Sequence, residues 1–417
     1  MFLLSHLLRR FVRTGTLRVI DAGGKMRIFA GAPGPIVTFR LHTRSLPYKI
    51  FFNPELSVGE AYMDGTLTLE GCTLYDFLHI FAINRAALGA YPLQAVLRRL
   101  WRWLRSFQQY NPVGKAQQNV AHHYDLSREL YELFLDADLQ YTCAYFVNPD
   151  DTLEQAQENK KRLVAAKLLL APGQKVLEMG SGWGGLSLYL AKNAGVEMTA
   201  VTLSQEQYKV SCARAQALGL DSRVHFHLRD YREVEGKFDR IVSVGMLEHV
   251  GSGGYGELFA RIRDLLTEDG VAVVHAIGKK SPPGTTGPWL RKYIFPGAYT
   301  PALSEVFEAT ERQGLWVTDV EVLRMHYAET LREWNRRFQA NRSKVAKLYD
   351  ERFCRMWEFY LLACEMVFRH GSGMIFHLQL ARQCDAVPLT RNYIGLAENR
   401  LQRLEKEAAA AGRRHAS

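Results

Sequence analysis

The segment Lys175 to Gln207, KVLEMGSGWGGLSLYLAKNAGVEMTAVTLSQEQ, constrains this chain more than any other stretch. An apolar run (Val176, Leu177, Met179) ends in a turn from Gly180 to Gly185, and a helix-periodic stretch with Leu186, Leu188, Tyr189 and Leu190 then leads to a second apolar run. Short apolar runs suit strands buried on both faces, and residues without Cβ let a ligand approach the backbone between strand and helix. Gly195 fits the position just past the helix end. The pattern predicts a nucleotide-binding βαβ unit.

Gly180, Gly182 and Gly185 satisfy the G-x-G-x-x-G spacing, which brings a dinucleotide into consideration. Such a site places an Asp or Glu about 20 residues further on, to hold a ribose hydroxyl. Here the second strand ends AVTLS and offers no acid. The first strand instead carries Glu178, giving E-x-G-x-G-x-G, the form expected for S-adenosylmethionine. The glycines then approach the methionine and ribose, and no phosphate needs a helix N-terminus. A tight turn without a ligand is the plain alternative, and the number of glycines spent there speaks against it.

Further strands read at Met198 to Leu203, Val224 to Leu228, Phe238 to Val244 and Val271 to Ile277, with helices between them. This alternation predicts an α/β fold with a mostly parallel, Rossmann-like, doubly wound sheet, which the glycine turn marks as a methyltransferase sheet, joined to a smaller N-terminal α+β domain. The boundaries follow from changes of pattern. Residues 1–86 form the α+β domain, 87–120 a basic helical linker interrupted at Pro92 and Pro112, 121–400 the catalytic domain, and 401–417 a flexible, alanine-rich tail.

With 417 residues, 47% of them hydrophobic, the chain can bury two cores. No apolar run approaches the ~18 residues of a membrane span. The opening MFLLSHLLRRFVR places its charges after a short apolar patch, which suggests an amphipathic helix instead of a signal peptide. Six cysteines without C-x-x-C pairing argue against a disulfide framework and a zinc site, so a reducing, cytoplasmic compartment is expected. Adjacent His122 and His123 lack the i, i+4 spacing of helical metal ligands, and no metal is expected.

The formal charge of +10 is concentrated early, in Arg9, Arg10, Arg13, Arg18, Lys25, Arg27, Arg40, Arg44 and Lys49. A second cluster, LRRLWRWLRSF, interleaves Arg98, Arg99, Arg102 and Arg105 with Trp101 and Trp103. Nucleic acid and anionic membranes both attract such patches. Indole rings settle at the headgroup boundary, which favours the inner face of a membrane over nucleic acid. An ordinary packed helix with snorkelling arginines is the alternative for the second cluster.

Nearly the whole chain resembles the cyclopropane-fatty-acyl-phospholipid synthases. The resemblance rests on GEAYMDG (Gly59 to Gly65), HYDLS (His123 to Ser127), QYTCAYF (Gln140 to Phe146), LEMGSGWGG, VTLSQEQ, FDRIVSVGMLEHVG (Phe238 to Gly251), VHAIG (Val274 to Gly278), YIFPG (Tyr293 to Gly297) and HYAETLREW (His326 to Trp334), in that order. Related mycolic-acid and benzylisoquinoline methyltransferases share most of the later motifs but lack the GEAYMDG region.

The resemblance implies transfer of the sulfonium methyl to a lipid double bond, then loss of a proton from the new methyl to close a cyclopropane. The base it implies is a bound bicarbonate, caged by Cys143, Glu248, His275, Ile277 through its backbone, and Tyr327. For S-adenosylmethionine it implies Gly180 and Gly182 beside the methionine and ribose, Thr202 and Gln207 after the second strand, Asp230 and Tyr231 at the adenine, and Tyr141 and Thr142 over the methionine end. Tyr293 and Phe295 are candidates for the lipid channel. The expected partner is an unsaturated phospholipid in an anionic membrane, and a homodimer is compatible with it. A related C-methyltransferase leaving a methyl or methylene branch is the alternative.

Each residue also has a structural reading. Cys143 could fill core space between aromatics, His275 could be a hydrogen-bonded core group, Glu248 could pair with an arginine and Tyr327 could cap a helix. Gln207, three residues after Ser204, completes a capping box. Cys364 in YLLACEMVF has apolar neighbours at helical spacing, which suggests core packing; the family resemblance also raises it as a nucleophile.

Overall fold

Alternation of polar and apolar residues in TGTLRVI buries Leu17 and Val19 completely on one face, as a half-covered strand requires. In the computed structural model, which describes residues 1–89 and 126–415, this strand is β1 (Thr14–Ile20). It lies between β2 (Met26–Ala30) and β3 (Ala32–Leu41), with β4 (Leu67–Leu69) beyond β3. β1 runs antiparallel to β2 and parallel to β3. The helix Leu74–Ile83 covers the sheet, with Phe77 edge-on to Phe39 at 5.4 Å. A capping box starts it: Thr73 Oγ1 accepts from the Asp76 N–H at 3.1 Å, and Asp76 Oδ2 accepts from the Thr73 N–H at 2.9 Å.

This small module forms one unit with two later segments: the described residues of Met1–Gln108 group with Gly284–Pro296 and Ala328–Gly373. The expected boundaries gave residues 284–296 and 328–373 to the catalytic domain, but the chain returns twice. The GEAYMDG motif explains the first return. Its helix, Pro54–Met63, carries Gly59 so close to Trp289 that an added Cβ would lie 2.4 Å from the indole Nε1. The indole donates to Met63 Sδ at 3.3 Å, while Lys292 Nζ and the Tyr293 hydroxyl donate to Glu60 Oε1 at 2.6 and 2.8 Å. Gly59→Ala should therefore overpack a buried tryptophan and lower unfolding free energy by about 1–3 kcal/mol in urea titration, with a change in tryptophan emission.

The second unit holds a seven-stranded sheet: β5 (Lys175–Met179), β6 (Glu197–Thr202), β7 (Val224–Leu228), β8 (Phe238–Val244), β9 (Leu266–Lys279), β10 (Trp316–Leu323) and β11 (Gly373–Ala381), in the order β10-β11-β9-β8-β5-β6-β7. The five central and outer strands β5 to β9 pair in parallel, and β10 pairs antiparallel to β11. The doubly wound sheet is as expected. β10 and β11 are additions to it, β6 begins one residue earlier than expected, and β9 extends beyond both expected ends.

Both faces of the sheet are covered, which accounts for the unbroken apolar runs. Leu177, Met179, Ile241, Ala272 and Val274 pack on one side with Leu258, Phe259 and Ile262. Val176, Met198, Ala200, Val242 and Val273 pack on the other with Val164, Leu188 and Leu190. Strand order reverses between β5 and β8, so the crevice outside their carboxyl ends is where an open sheet of this kind binds ligands.

Where a frayed tail is expected from residue 401, the chain is helical over Asn392–His415, and Glu405 accepts hydrogen bonds from Arg162 and the Tyr189 hydroxyl. Residues 90–120 of the basic linker, with Arg98, Arg99, Arg102 and Arg105, lie outside the described residues, as do His122 and His123. Among the described residues no helix is long and apolar enough to cross a membrane.

Candidate active site

The turn after β5 needs its glycines for different reasons. Gly180, Gly182 and Gly184 have φ of +84°, +52° and +82°, a region that side chains disfavour. A Cβ on Gly184 would lie 2.8 Å from Phe226 and Ser211, and one on Gly185 2.4 Å from Asp138 and Gln140. Those two serve packing. A Cβ on Gly182 would meet nothing within 4 Å, so this is the glycine that faces open space. On either side of it, Ser181 Oγ and Trp183 Nε1 are buried without a hydrogen-bond partner among the described residues. A backbone left open beside two unpartnered polar atoms fits a ligand with polar groups of its own, as S-adenosylmethionine has. Gly182→Ala should fold, at a cost of about 1–2 kcal/mol for its left-handed φ. Its dissociation constant for S-adenosylmethionine should rise about tenfold or more in calorimetry, and unchanged binding would remove Gly182 from the site.

Glu178 does not point outward. It is buried, accepts a hydrogen bond from the Ser187 hydroxyl in the first turn of the helix Gly185–Ala194, and is pushed up to about 8 by burial, against the lowering effect of that bond. Its role here is to tie strand end to helix start. Thr202 and Gln207 are buried and bonded to each other at 2.9 Å, and the Ser204 N–H donates to Thr202 Oγ1 at 3.2 Å. Ser204 caps the helix Gln205–Ala217 by accepting the Gln207 N–H. The expected capping box is half formed, because the Gln207 side chain goes to Thr202. Asp230, expected at the adenine, grips Arg232 with both carboxylate oxygens at 2.9 and 2.7 Å. Arg232 lies over the half-buried Tyr231 ring at 5.5 Å.

The segment expected to close over the methionine end is held by a residue the sequence reading passed over. Lys160 is fully buried, and its ammonium donates to Gln140 Oε1 at 2.6 Å and Thr142 Oγ1 at 2.8 Å. Burial pushes it down to about 8, while Asp136 and Asp138 pull it back. Asp136 accepts the Gln140 N–H at 2.9 Å, and burial followed by the Asp138 charge pushes it up to about 6. Asp138 accepts from Lys161 at 2.6 Å and from Arg214, whose guanidinium also donates to the Trp183 carbonyl at 2.7 Å. Tyr141 stands edge-on to Tyr131 at 5.3 Å, and Tyr131 edge-on to Trp183 at 5.8 Å. Residues 138–142 are thus fastened to the glycine turn.

At the carboxyl ends of β8 and β9 three expected residues converge. The Ile277 N–H donates to Glu248 Oε1 at 2.6 Å, and the Gly245 N–H donates to the His275 carbonyl at 2.9 Å. The Thr142 methyl lies only 3.0 Å from where a Cβ on Gly245 would stand. Ile277 was expected to offer its backbone to an anion; its N–H is spent on Glu248 and acts through that carboxylate. Burial pushes Glu248 up to about 7, and its Oε2 is buried with no partner among the described residues.

His275 is buried, and its Nδ1 lies 2.7 Å from Nε2 of His377 on β11. Cys143 is buried and donates to the Ala144 carbonyl at 3.2 Å. Just beyond it, the Phe146 N–H donates to His326 Nδ1 at 3.2 Å and Tyr145 packs on the His326 ring at 4.7 Å, which brings the segment of Cys143 to the start of the helix His326–Leu348 and so to the buried Tyr327.

Cys364 belongs to the other unit, on the helix Glu351–His370, and burial pushes its thiol up to about 12. A thiol held protonated is a poor nucleophile, so core packing is the reading that its environment supports. Tyr293 and Phe295 also lie in that unit, with Phe295 edge-on to Tyr360 at 5.8 Å.

Known proteins of similar sequence and fold identify the family. The family described as mycolic acid cyclopropane synthetase matches residues 113–378. The chain is 37% identical over 331 residues to the cyclopropane-fatty-acyl-phospholipid synthase of Escherichia coli strain K12, covering 78% of this chain and 83% of that one. It is 38% identical over 347 residues to a probable fatty acid methyltransferase of Pseudomonas putida, covering 81% and 85%. The solved structure of mycolic acid cyclopropane synthase CmaA1 complexed with SAH and CTAB superposes with a TM-score of 0.60 at 31% identity, over 65% of this chain and 99% of that one. A glycine cradle for the sulfonium cofactor, the parallel sheet and these matches together place the chain in the mycolic acid cyclopropane synthetase family, as an S-adenosylmethionine-dependent lipid methyltransferase or cyclopropane synthase.

Proposed function

We propose that the enzyme adds a methylene bridge across the cis double bond of an unsaturated phospholipid acyl chain, with bicarbonate as the base. Bound S-adenosylmethionine supplies an electrophilic methyl: the alkene π pair forms the new carbon–carbon bond as the carbon–sulfur bond breaks, and a proton then leaves the new methyl as its C–H pair closes the ring. The observation that carries this reading is Glu248, buried, with Oε1 fixed by the Ile277 N–H two residues after His275 and Oε2 unpartnered among the described residues. Such an oxygen can accept the O–H of bicarbonate, with His275 and Tyr327 as donors to the ion, and Cys143 lies in the segment that Tyr145 and Phe146 fasten to the helix of Tyr327. Holding the base in place in a water-poor site matters more here than its strength.

The substrate sits in a bilayer, since withdrawing each CH2 into water costs about 0.8 kcal/mol. Docking on an anionic surface is supported by the amphipathic helix Phe2–Phe11, which exposes Phe2, Arg9 and Arg10, and by the helix Leu46–Phe52, which exposes Tyr48, Lys49 and Phe52. The deciding experiment is incubation with labelled S-adenosylmethionine and oleoyl phospholipid vesicles, with and without bicarbonate, followed by NMR of the fatty acids. Cyclopropane protons that depend on bicarbonate are expected. A methyl or methylene branch would favour the alternative product, and untouched lipid would overturn the substrate.

A further inference from the structure

We propose that His377 fixes the proton position on His275, holding it as the Nε2–H tautomer so that it can donate toward the space beside Glu248. The purpose of that donor rests on the anion reading above; the tautomer itself does not.

The two rings meet through His275 Nδ1 and His377 Nε2 at 2.7 Å, and both side chains are buried. Burial, with the charges of Lys160 and Lys167, holds both well below their ordinary pKa, so each ring is neutral and carries a single N–H. One nitrogen of the contact must donate and the other accept. If His275 donated, His377 would carry its own proton on Nδ1. That atom is buried with no hydrogen-bond partner among the described residues.

A buried N–H without an acceptor is costly, and the positive potential of Lys167 and Lys160 at His377 penalises it further. Glu321, opposite His377 across β10 and β11, does not relieve it, because its carboxylate is 2.6 Å from Lys167 Nζ. If His377 donates through Nε2–H, its Nδ1 carries only a lone pair, and a buried acceptor left unpaired costs less than a buried N–H left unpaired. His275 then accepts at Nδ1 and bears its proton on Nε2. No other side-chain hydrogen bond of His275 is present among the described residues, so that N–H is left for a ligand. Glu248 as acceptor and His275 as donor give complementary partners for an ion that has both an O–H and bare oxygens.

The experiment is long-range proton–nitrogen NMR on the full chain labelled with nitrogen-15 histidine and free of cofactor, the His275 signals being assigned through His275→Gln. His275 should appear with a bare Nδ1 and a protonated Nε2. His377→Gln, whose amide can donate to the same Nδ1, should keep that signature and keep kcat within about threefold, whereas His377→Leu should give mixed tautomers and lower kcat about tenfold or more with little change in KM for S-adenosylmethionine. A wild-type His275 protonated on Nδ1 would overturn the inference, as would a His377→Leu enzyme with unchanged tautomer and kcat. Should His377→Leu fail to fold, the wild-type and glutamine spectra still decide. Turnover independent of bicarbonate, with the predicted tautomer present, would instead sink the anion reading alone.

Discussion

Glutamine at position 248 is expected to lower turnover by about 10²–10³-fold and to make the protein more stable above neutral pH. The amide oxygen of Glu248→Gln can still accept the Ile277 N–H, but an NH2 group replaces the unpartnered Oε2 and can neither accept nor hold a proton. The stability gain follows from burial. Glu248 titrates at about 7 in the folded protein against an ordinary 4.5. Below about pH 4.5 the carboxyl is protonated in both folded and unfolded chains and contributes nothing. Between 4.5 and 7 only the unfolded chain ionises, so stability falls as pH rises, and above 7 the full penalty of about 1–3 kcal/mol is present. Urea titrations should show Glu248→Gln more stable at pH 8 and equal to wild type at pH 4. Rates should show a rising limb near pH 7 that only the wild type has. Equal stability at both pH values would mean that some unseen partner already holds the ionised carboxylate.

Removing the ammonium of Lys160 should cost the most stability. Lys160→Met keeps the stem but leaves Gln140 Oε1 and Thr142 Oγ1 without their donor, and leaves Asp136 and Asp138 with one fewer positive neighbour. Breaking a buried charged network from one side costs about 3–5 kcal/mol. Because Thr142 packs on Gly245 and Tyr141 reaches Trp183 through Tyr131, the loss should also loosen residues 138–142 beside the glycine turn and weaken binding of S-adenosylmethionine. Thermal melting and calorimetry with S-adenosylmethionine check both effects. A variant that melts and binds like wild type would show that residues 138–142 are held by packing alone.

The parts of the fold visible in the sequence are those set by local periodicity. β5, β7 and β8 occupy the residues their apolar runs mark out, because a strand buried on both faces needs little else to declare itself. β10, WVTDVEVL, mixes charges with branched residues at a sheet edge, and β11, GMIFHLQLA, interrupts its apolar run with His377 and Gln379. Neither announces its pairing.

The same division runs through the site. Glu248 and His275 stand at strand ends, where an open sheet presents functional groups, and motif order points to them. Lys160 lies in NKKRL, which reads as a solvated helix face; only the tertiary packing of Gln140 and Thr142 reveals that it faces inward. His377 becomes visible only through the register of a strand paired across the sheet. The division of the chain into two units was hidden for a related reason, since Trp289 reads as an ordinary apolar residue until Gly59 is found beneath it.

His275 and its imidazole partner are 102 residues apart in sequence, and the chain between them passes through Ala328–Gly373, which belongs to the other unit. On a ribosome adding roughly 5–20 residues per second, that separation is about 5–20 s of synthesis. For that interval His275 lacks the ring that meets its Nδ1 in the folded protein. The contact between the two rings therefore cannot form before β11, the last strand along the chain, has been made.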